Sequence, residues 1–359
     1  MTPSPDLPGL DLAAVTAWLA SQGVTMVGPV AASLFMGGRS NVTYRLTGAD
    51  GASLVLRRPP LGHVLPSAHD MAREYRVLRG LNSVGYPTPR TIALCEDLSV
   101  NGCPFLVMAY VEGRIIGTAD EAAPLSPVER DGISAALVDA LAQLHGVDVD
   151  AAGLSELGRP EGYLTRQLGR WTRQWELTKT RDLPAMDLLR GRIEDALAPL
   201  PPDLPWSLVH GDYRLDNVIL APDGPQVRAV LDWEMSTLGD PLSDLALALV
   251  YWTQSADRLR HRVPVAEHLT DAGGFWSRAR IIDAYADATG RAIDHLDACT
   301  ALACFKLAVI TESIHARTLG GQQLGAAASD VHAMGVATEA LADLGLHVTE
   351  SGTVAGLAS

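Results

Sequence analysis

LVHGDYRLDNVIL, residues 208–220, sets a histidine, two aspartates and an asparagine between two short apolar runs. LDWE at 231–234 adds another carboxylate a little further on. The apolar runs read as strands, with PDGP at 222–225 as the turn that follows the second. The polar residues therefore sit on a loop between strands, inside surroundings that otherwise read as helical.

Asp212 and Asn217 are five residues apart, and Asp232 lies fifteen beyond Asn217. If the strands around them pair, Asn217 and Asp232 meet in one cleft. An amide oxygen and a carboxylate are hard ligands that suit Mg²⁺. Asp212 is then placed to orient a hydroxyl and accept its proton. Phosphoryl transfer relies on this kind of positioning and charge stabilisation. The kinase signature has the same spacing: an aspartate, an asparagine five later, and a second aspartate after a hairpin. A lone DxxxxN means little; the weight lies in the joined set.

Upstream, SLFMGGRSNVTYRLTGADGASLVLRRPP at 33–60 reads as strand, turn, strand. Val42, Tyr44 and Leu46 share one face by alternation, as do Leu54 and Leu56. Gly48, Asp50 and Gly51 make the turn. Gly37-Gly38 is free to bring backbone amides close to a ligand. Helices are predicted over 11–20 and 68–81, and FLVMAYVEG at 105–113 is a strand running into a connector. Residues 114–125 are read as loop. Ser126-Pro127-Val128-Glu129 has the chemistry of a helix start: a capping serine, a proline at the first position and a glutamate three on. Further helices are predicted over 184–198, 241–253, 275–289, 295–318 and 328–342. VTESGTVAGLAS at the end is read as a frayed tail. The resulting layout is a sheet-rich lobe at 1–108, a hinge at 109–113, a helical lobe with the catalytic and metal loops at 114–345, and a tail at 346–359.

The chain has 359 residues, 47% of them hydrophobic and 19% charged, which indicates a folded globular protein. A formal net charge of −14 argues against a general nucleic-acid groove. Cys95, Cys103, Cys299 and Cys304 form no CxxC pair, so reduced core thiols in a cytoplasm are the simpler reading. The N-terminus has no basic region leading into a secretory apolar run. LALALVYW at 245–252 is too short to span a bilayer. The expectation is a cytoplasmic protein without membrane or nucleic-acid partners. Its oligomeric state is open between monomer and homodimer.

HGDYRLDN with LDWE, supported by GGRSNVTYRL and LVLRRPP, resembles the aminoglycoside phosphotransferase family of the wider protein-kinase-like superfamily. The similarity is greatest to the branch whose kinase-like domains accompany acyl-CoA dehydrogenase domains, and it covers about residues 25–320. It implies an α+β, bilobal protein-kinase-like fold, with a small antiparallel-sheet N-lobe and a larger, mainly helical C-lobe. It further implies ATP or GTP with Mg²⁺ and a small-molecule hydroxyl substrate. Asp212 becomes the base, and Asn217 and Asp232 the metal ligands. Gly37, Gly38, Ser40 and Asn41 lie in the loop over the phosphates, and Met108, Ala109 and Tyr110 line the adenine side. His210 braces the catalytic loop. One departure is that Val55-Leu56-Arg57-Arg58 stands where kinase-like proteins often carry a lysine. Arg57 is the candidate phosphate contact, paired with Glu74. Its planar fork differs from a lysine's point charge, although this branch commonly shows arginine there.

Several polar residues have plainer readings. Asp216 caps or braces the loop, and Asp240 and Asp244 belong to a turn and helix start. Glu234 is divided between assisting the metal and structural bonding. His145 closes its helix or bonds the catalytic loop. Trp171, Trp175 and Trp252 are explained by packing, and a solvent-facing position suffices for Arg39 and Arg58. The acceptor is read as a hydroxyacyl compound, with an aminoglycoside as the alternative. A nucleotide-binding pseudokinase and a metal-dependent hydrolase are the competing classes.

Overall fold

The computed structural model describes residues 7–35, 41–61, 70–264, 268–320 and 328–358. Contacts divide the chain into two compact units. The first comprises residues 1–113, 150–154 and 228–234. The DWE motif therefore belongs with the N-terminal unit, although its sequence position falls within 114–345.

The first unit begins with α1 (Leu12–Ser21), capped by the Asp11 side chain on the Ala14 N–H. Five strands follow: β1 (Ala31–Leu34), β2 (Val42–Thr47), β3 (Ser53–Arg58), β4 (Thr91–Cys95) and β5 (Phe105–Ala109). Their order is β1-β2-β3-β5-β4, and every pairing is antiparallel. The β2–β3 register sets Tyr44 opposite Leu56 and Leu46 opposite Leu54. Tyr44, Leu46 and Leu56 are fully buried with Val15, Leu19, Phe105 and Val107. The alternation read from the sequence is thus the inner face of this sheet. Its β2–β3 turn is closed by Gly48 N–H to the Ala52 carbonyl, 2.9 Å. Two helices complete the unit: α2 (Met71–Ser83), capped by Asp70, and the short α3 (Leu98–Asn101). Arg58 is buried rather than solvent-facing, because its guanidinium donates to the Gly9 and Pro59 carbonyls.

The second unit comprises residues 114–149, 155–227 and 235–359. It opens with a short helix α4 (Ala119–Ala122) inside the expected loop, closed by a Thr118–Glu121 capping box. The Ser126–Glu129 box and Pro127 start α5 (Pro127–His145), as their chemistry predicts. α6 (Tyr163–Thr178), absent from the predicted set, buries Leu164, Leu168, Trp171 and Trp175 along one stripe. α7 (Pro184–Leu197) precedes the strands β6 (Ser207–Val209) and β7 (Val218–Leu220); β8 (Val227–Val230) falls almost wholly in the first unit, and β9 (Thr237–Gly239) returns to the second. β6 pairs antiparallel with β9, setting Val209 opposite Thr237. This pairing places the 210–217 loop at the end of an anchored strand. The remaining helices are α8 (Leu242–Tyr251), α9 (Arg278–Thr289), α10 (Leu296–Leu319) and α11 (Ala328–Ser351).

α10 packs against α6, α7, α8 and α11. By length and hydropathy it could cross a membrane, but 72% of its most apolar window is buried inside this protein. It is the core helix of the unit. All four cysteines are free thiols, as the sequence reading had it.

The expected tail over 346–359 is instead ordered through residue 358. α11 runs to Ser351, and a 3-10 turn at Val354–Ala358 folds back onto it. Val348 and Leu357 are fully buried. A side chain at Gly356 would come within 2.6 Å of the Val348 nitrogen, so only glycine allows this approach. Leu357→Ala should lower the free energy of unfolding by about 2–4 kcal/mol, read from urea unfolding. An unchanged midpoint would mean that this segment is a free tail.

Candidate functional site

In the first unit the candidate residues gather around Arg57. β3 delivers its side chain opposite the Leu56–Arg58 face, and α2 brings Glu74 to it. Arg57 Nε lies 3.2 Å from Glu74 Oε2. Its Nη2 donates to Asp232 Oδ1 and lies 3.7 Å from Glu234 Oε2. Asn41 Nδ2 donates to Glu234 Oε2 at 3.0 Å, while its buried Oδ1 has no hydrogen-bond partner among the described residues. Asp232 adopts φ +67, a left-handed conformation that side chains rarely take and that often marks a functional position. Trp233 anchors the turn: it is fully buried, donates Nε1–H to the Val230 carbonyl and meets Tyr86 edge-on.

One guanidinium thus faces three carboxylates. Burial works against the Arg57 charge, but Glu74, Asp232 and Glu234 together hold it above its ordinary range. Glu74 is 2% exposed, and burial pushes it up to about 7 against the pull of Arg57, with Asp232 and Glu234 adding to the rise. The two partners shift in ways that look opposed because the cation is shared. Arg57 gains from every acid, whereas Glu74 has a third of a cation and two like charges. The net excess of acid fits a site that takes a further cation.

Gly37, Gly38 and Ser40 lie outside the described residues, as do Arg39 and residues 62–69. Met108 is buried in β5. The Tyr110 ring lies beneath the Arg45 guanidinium, 4.1 Å away. Ala109 N–H is already bonded to the Arg90 carbonyl at 2.8 Å, so it is not a donor for a base edge.

In the second unit the loop after β6 carries Asp212 and Asn217. Gly211 makes the bend at φ +84, and a Cβ there would lie 2.8 Å from the Met235 carbonyl oxygen. His210 braces the loop, its Nδ1 accepting Asp212 N–H at 3.1 Å. Asn217 Nδ2 donates to the Asp212 carbonyl at 2.8 Å and to Asp212 Oδ2 at 3.2 Å. The amide nitrogen is thereby committed, which leaves Asn217 Oδ1 as the atom able to meet a hard cation such as Mg²⁺. Asn217 and Asp232 belong to different units.

Sequence reading missed three neighbours of Asp212. Tyr251 OH donates to Asp212 Oδ1 at 3.3 Å. Arg214 Nε lies 3.4 Å from Asp212 Oδ2 and 3.1 Å from Asp216 Oδ1, with its guanidinium over the Tyr251 ring. Asp216 is therefore a brace, as its plainer reading had it. Lys306 Nζ donates to the Gly211 carbonyl at 2.6 Å.

Asp244 does more than begin a helix. Its carboxylate accepts the N–H groups of His210 and Gly211 at 2.5 and 2.8 Å, and His145 Nε2 lies 3.3 Å away. Burial alone would raise Asp244, but these hydrogen bonds and neighbouring charges hold it below its usual value. Burial pushes His145 down against the pull of Asp244, and its Nδ1 lies 2.7 Å from Tyr285 OH. His145 reaches the 210–217 loop through Asp244. Asp240 pairs with His295 at 2.6 Å beside Cys299.

A cleft opens beside this loop. Arg214, Asp216 and Tyr251 line its polar edge, and Leu137, Leu249 and Trp252 its apolar body. Trp171 lines a separate cavity next to Lys306, while Trp175 is buried in the packing of α6.

The raised Glu74 has a consequence for stability. A carboxyl that binds its proton more tightly when folded contributes stability that is complete below its unfolded value of 4.5 and lost as pH rises through about 7. The parent should therefore lose stability relative to Glu74→Gln between about pH 5 and about pH 8. At about 1.4 kcal/mol per unit the loss is on the order of 3 kcal/mol, measured by urea unfolding in chelator. The opposite slope would mean that Glu74 is ionised in the folded protein.

Residues 31–299 match the phosphotransferase enzyme family, APH. Acyl-CoA dehydrogenase family member 10 of Mus musculus is 36% identical over 329 residues, which is 90% of this chain and 29% of the mouse protein. Acyl-CoA dehydrogenase family member 11 of Gallus gallus is 36% identical over 329 residues, covering 90% of this chain and 41% of its own. The chain thus spans less than half the length of these relatives. A crystal structure from Ralstonia eutropha, provisionally assigned as an aminoglycoside phosphotransferase, superposes with a TM-score of 0.79 at 33% identity, over 95% of this chain and 98% of that one. The Asp212 loop falls within the matched range, and the chain belongs to the phosphotransferase enzyme family.

Proposed function

We propose that this chain transfers the γ-phosphoryl group of ATP or GTP to a hydroxyl on a small acyl compound. The observation that carries the acceptor class is Tyr251. Its hydroxyl bonds Asp212 Oδ1 while its ring belongs to the wall of the apolar cleft. A molecule whose apolar body lies in that cleft can bring a hydroxyl to the carboxylate. An aminoglycoside, a polycation, would ask for an excess of acid, and the cleft edge offers Arg214 against Asp216. The naming of two relatives as acyl-CoA dehydrogenase family members agrees with an acyl acceptor.

In this reading Asp212 orients the acceptor hydroxyl and takes its proton as the phosphoryl group arrives. Arg214, Asn217 and Tyr251 hold the two carboxylate oxygens in direction. Asn217 Oδ1 and Asp232 would hold Mg²⁺, which when bound supplies charge neutralisation of the triphosphate. Arg57, steadied by Glu74, would contact phosphate, and Met108 and Tyr110 would flank the base. Residues 109–113 serve as the connector between the lobes.

The test is a mass-resolved transfer screen with Mg²⁺ and either ATP or GTP, using hydroxyacyl compounds of graded chain length and aminoglycosides. Asp212→Asn should lower turnover about 10²–10⁴-fold while nucleotide affinity stays within a few-fold. Omitting Mg²⁺ should abolish transfer. Turnover at the parent level in Asp212→Asn would remove Asp212 as the base. Selective phosphorylation of aminoglycosides would overturn the acyl acceptor, and nucleotide binding without transfer would make the chain a binding protein.

A further inference from the structure

Of the 28 basic residues in the chain, two are lysines, Lys179 and Lys306. Lys179 pairs with Glu176 on the surface of the second unit. Lys306 stands in the middle of ALACFKLAVI at 301–310, on the core helix α10. A chain that otherwise uses arginine keeps a lysine here, and the geometry gives a reason. The ammonium reaches a single carbonyl, Gly211 O, at 2.6 Å. Among the described residues this is its hydrogen-bond acceptor, with the Trp171 ring 5.7 Å away. A guanidinium would bring five donors to a place that presents one acceptor.

Gly211 O belongs to the peptide group immediately before Asp212. The N–H of the same peptide is bonded to His210 Nδ1, and the carbonyl of the next peptide is bonded to Asn217. The Cα of Asp212 therefore hangs between two pinned peptide planes, and Lys306 pins the first of them from a helix 95 residues away. A small cavity adjoins the ammonium, lined also by Tyr163, Gln167 and Ser243. Burial pushes the ammonium below its usual range, and the Asp212 and Asp244 carboxylates oppose that fall. Keeping a charge there costs free energy, which a lysine retained only for packing would not require.

We propose that Lys306 is a positioning residue for phosphoryl transfer, whose ammonium fixes the Gly211–Asp212 peptide and so the direction of the Asp212 carboxylate. This rests on the reading of Asp212 as the base. Misplacing a catalytic group by about 1 Å can cost on the order of 10²-fold. The loss should fall on kcat, because Lys306 acts on the orientation of Asp212 and not on the binding of acceptor or nucleotide.

Two variants test it. Lys306→Met keeps the volume and removes the charge. Lys306→Ala opens the adjoining cavity to a small cation. With the acceptor found for the parent, both should lose about 30- to 100-fold in kcat, with acceptor KM and nucleotide Kd within about threefold. Ethylammonium should restore turnover to Lys306→Ala in a saturable manner, and ethanol of similar size should not. Hydrogen exchange at residues 210–213 in Lys306→Met should quicken about tenfold, a readout that needs no acceptor. Parent-like kcat in Lys306→Met, a loss confined to KM, equal rescue by ethanol, or unchanged exchange would each overturn the proposal. If Lys306→Ala does not fold, Lys306→Met decides through kcat and exchange. An inactive parent would instead bring down the phosphotransfer reading, so the two failures are distinguishable.

Discussion

The loop over residues 210–217 depends on one buried carboxylate. Asp244 is 1% exposed and would be costly to ionise in that position without compensation. Compensation comes from the N–H groups of His210 and Gly211, which have no strand partner because β6 has just ended. Each side satisfies what the other lacks. The loop leaves its strand without orphaned donors, and the acid keeps its charge in the core. His145 and Tyr285 close the arrangement from α5 and α9, so three helices converge on the bend before Asp212.

The same economy does not hold around Arg57, and the contrast is informative. Asp244 is balanced by groups that all belong to the protein. Asp232, Glu234 and Glu74 share one guanidinium, and among the described residues the Asn41 amide oxygen has no hydrogen-bond partner. A cluster that is fully satisfied rigidifies the fold, whereas one left with excess acid is poised for an added cation. Electrostatics thus distinguishes the two polar clusters among the described residues. The left-handed Asp232 agrees, since Trp233 and the Val230–Pro87 hydrogen bond hold that strain in place.

What was legible in the sequence was local. Alternation in 42–47 and 53–58 gave the sheet face, Ser126-Pro127-Val128-Glu129 gave the start of α5, and the Asp212–Asn217 spacing gave the loop. Some local signals went unused. Leu164, Leu168, Trp171 and Trp175 are spaced as one helical stripe, and Thr118 and Glu121 form a capping box. The order of the C-terminus rests on Gly356 meeting the backbone of α11, which no propensity for residues 352–358 conveys. The rest was illegible for a physical reason. Tyr251, Asp244 and Lys306 approach the loop from 39, 33 and 95 residues away. Only packing decides which of many apolar helices turns its polar residue inward.

The two units resolve the question raised by the arginine in β3. A lysine there would meet Glu74 with a point charge, but it could not present separate nitrogens to Glu74 and Asp232 at once. Arg57 does so through Nε and Nη2. Near Gly211 the requirement is inverted: one carbonyl, a narrow approach and a ring face beside it, which a compact ammonium on a flexible stem meets. The chain has placed its fork where several acids converge and its point charge where a single oxygen must be held. The choice between the two cations follows from the number of acceptors at each position. The missing strand lysine is therefore a change in how the charge is distributed among acids, and it leaves the reading of the Asp212 loop intact.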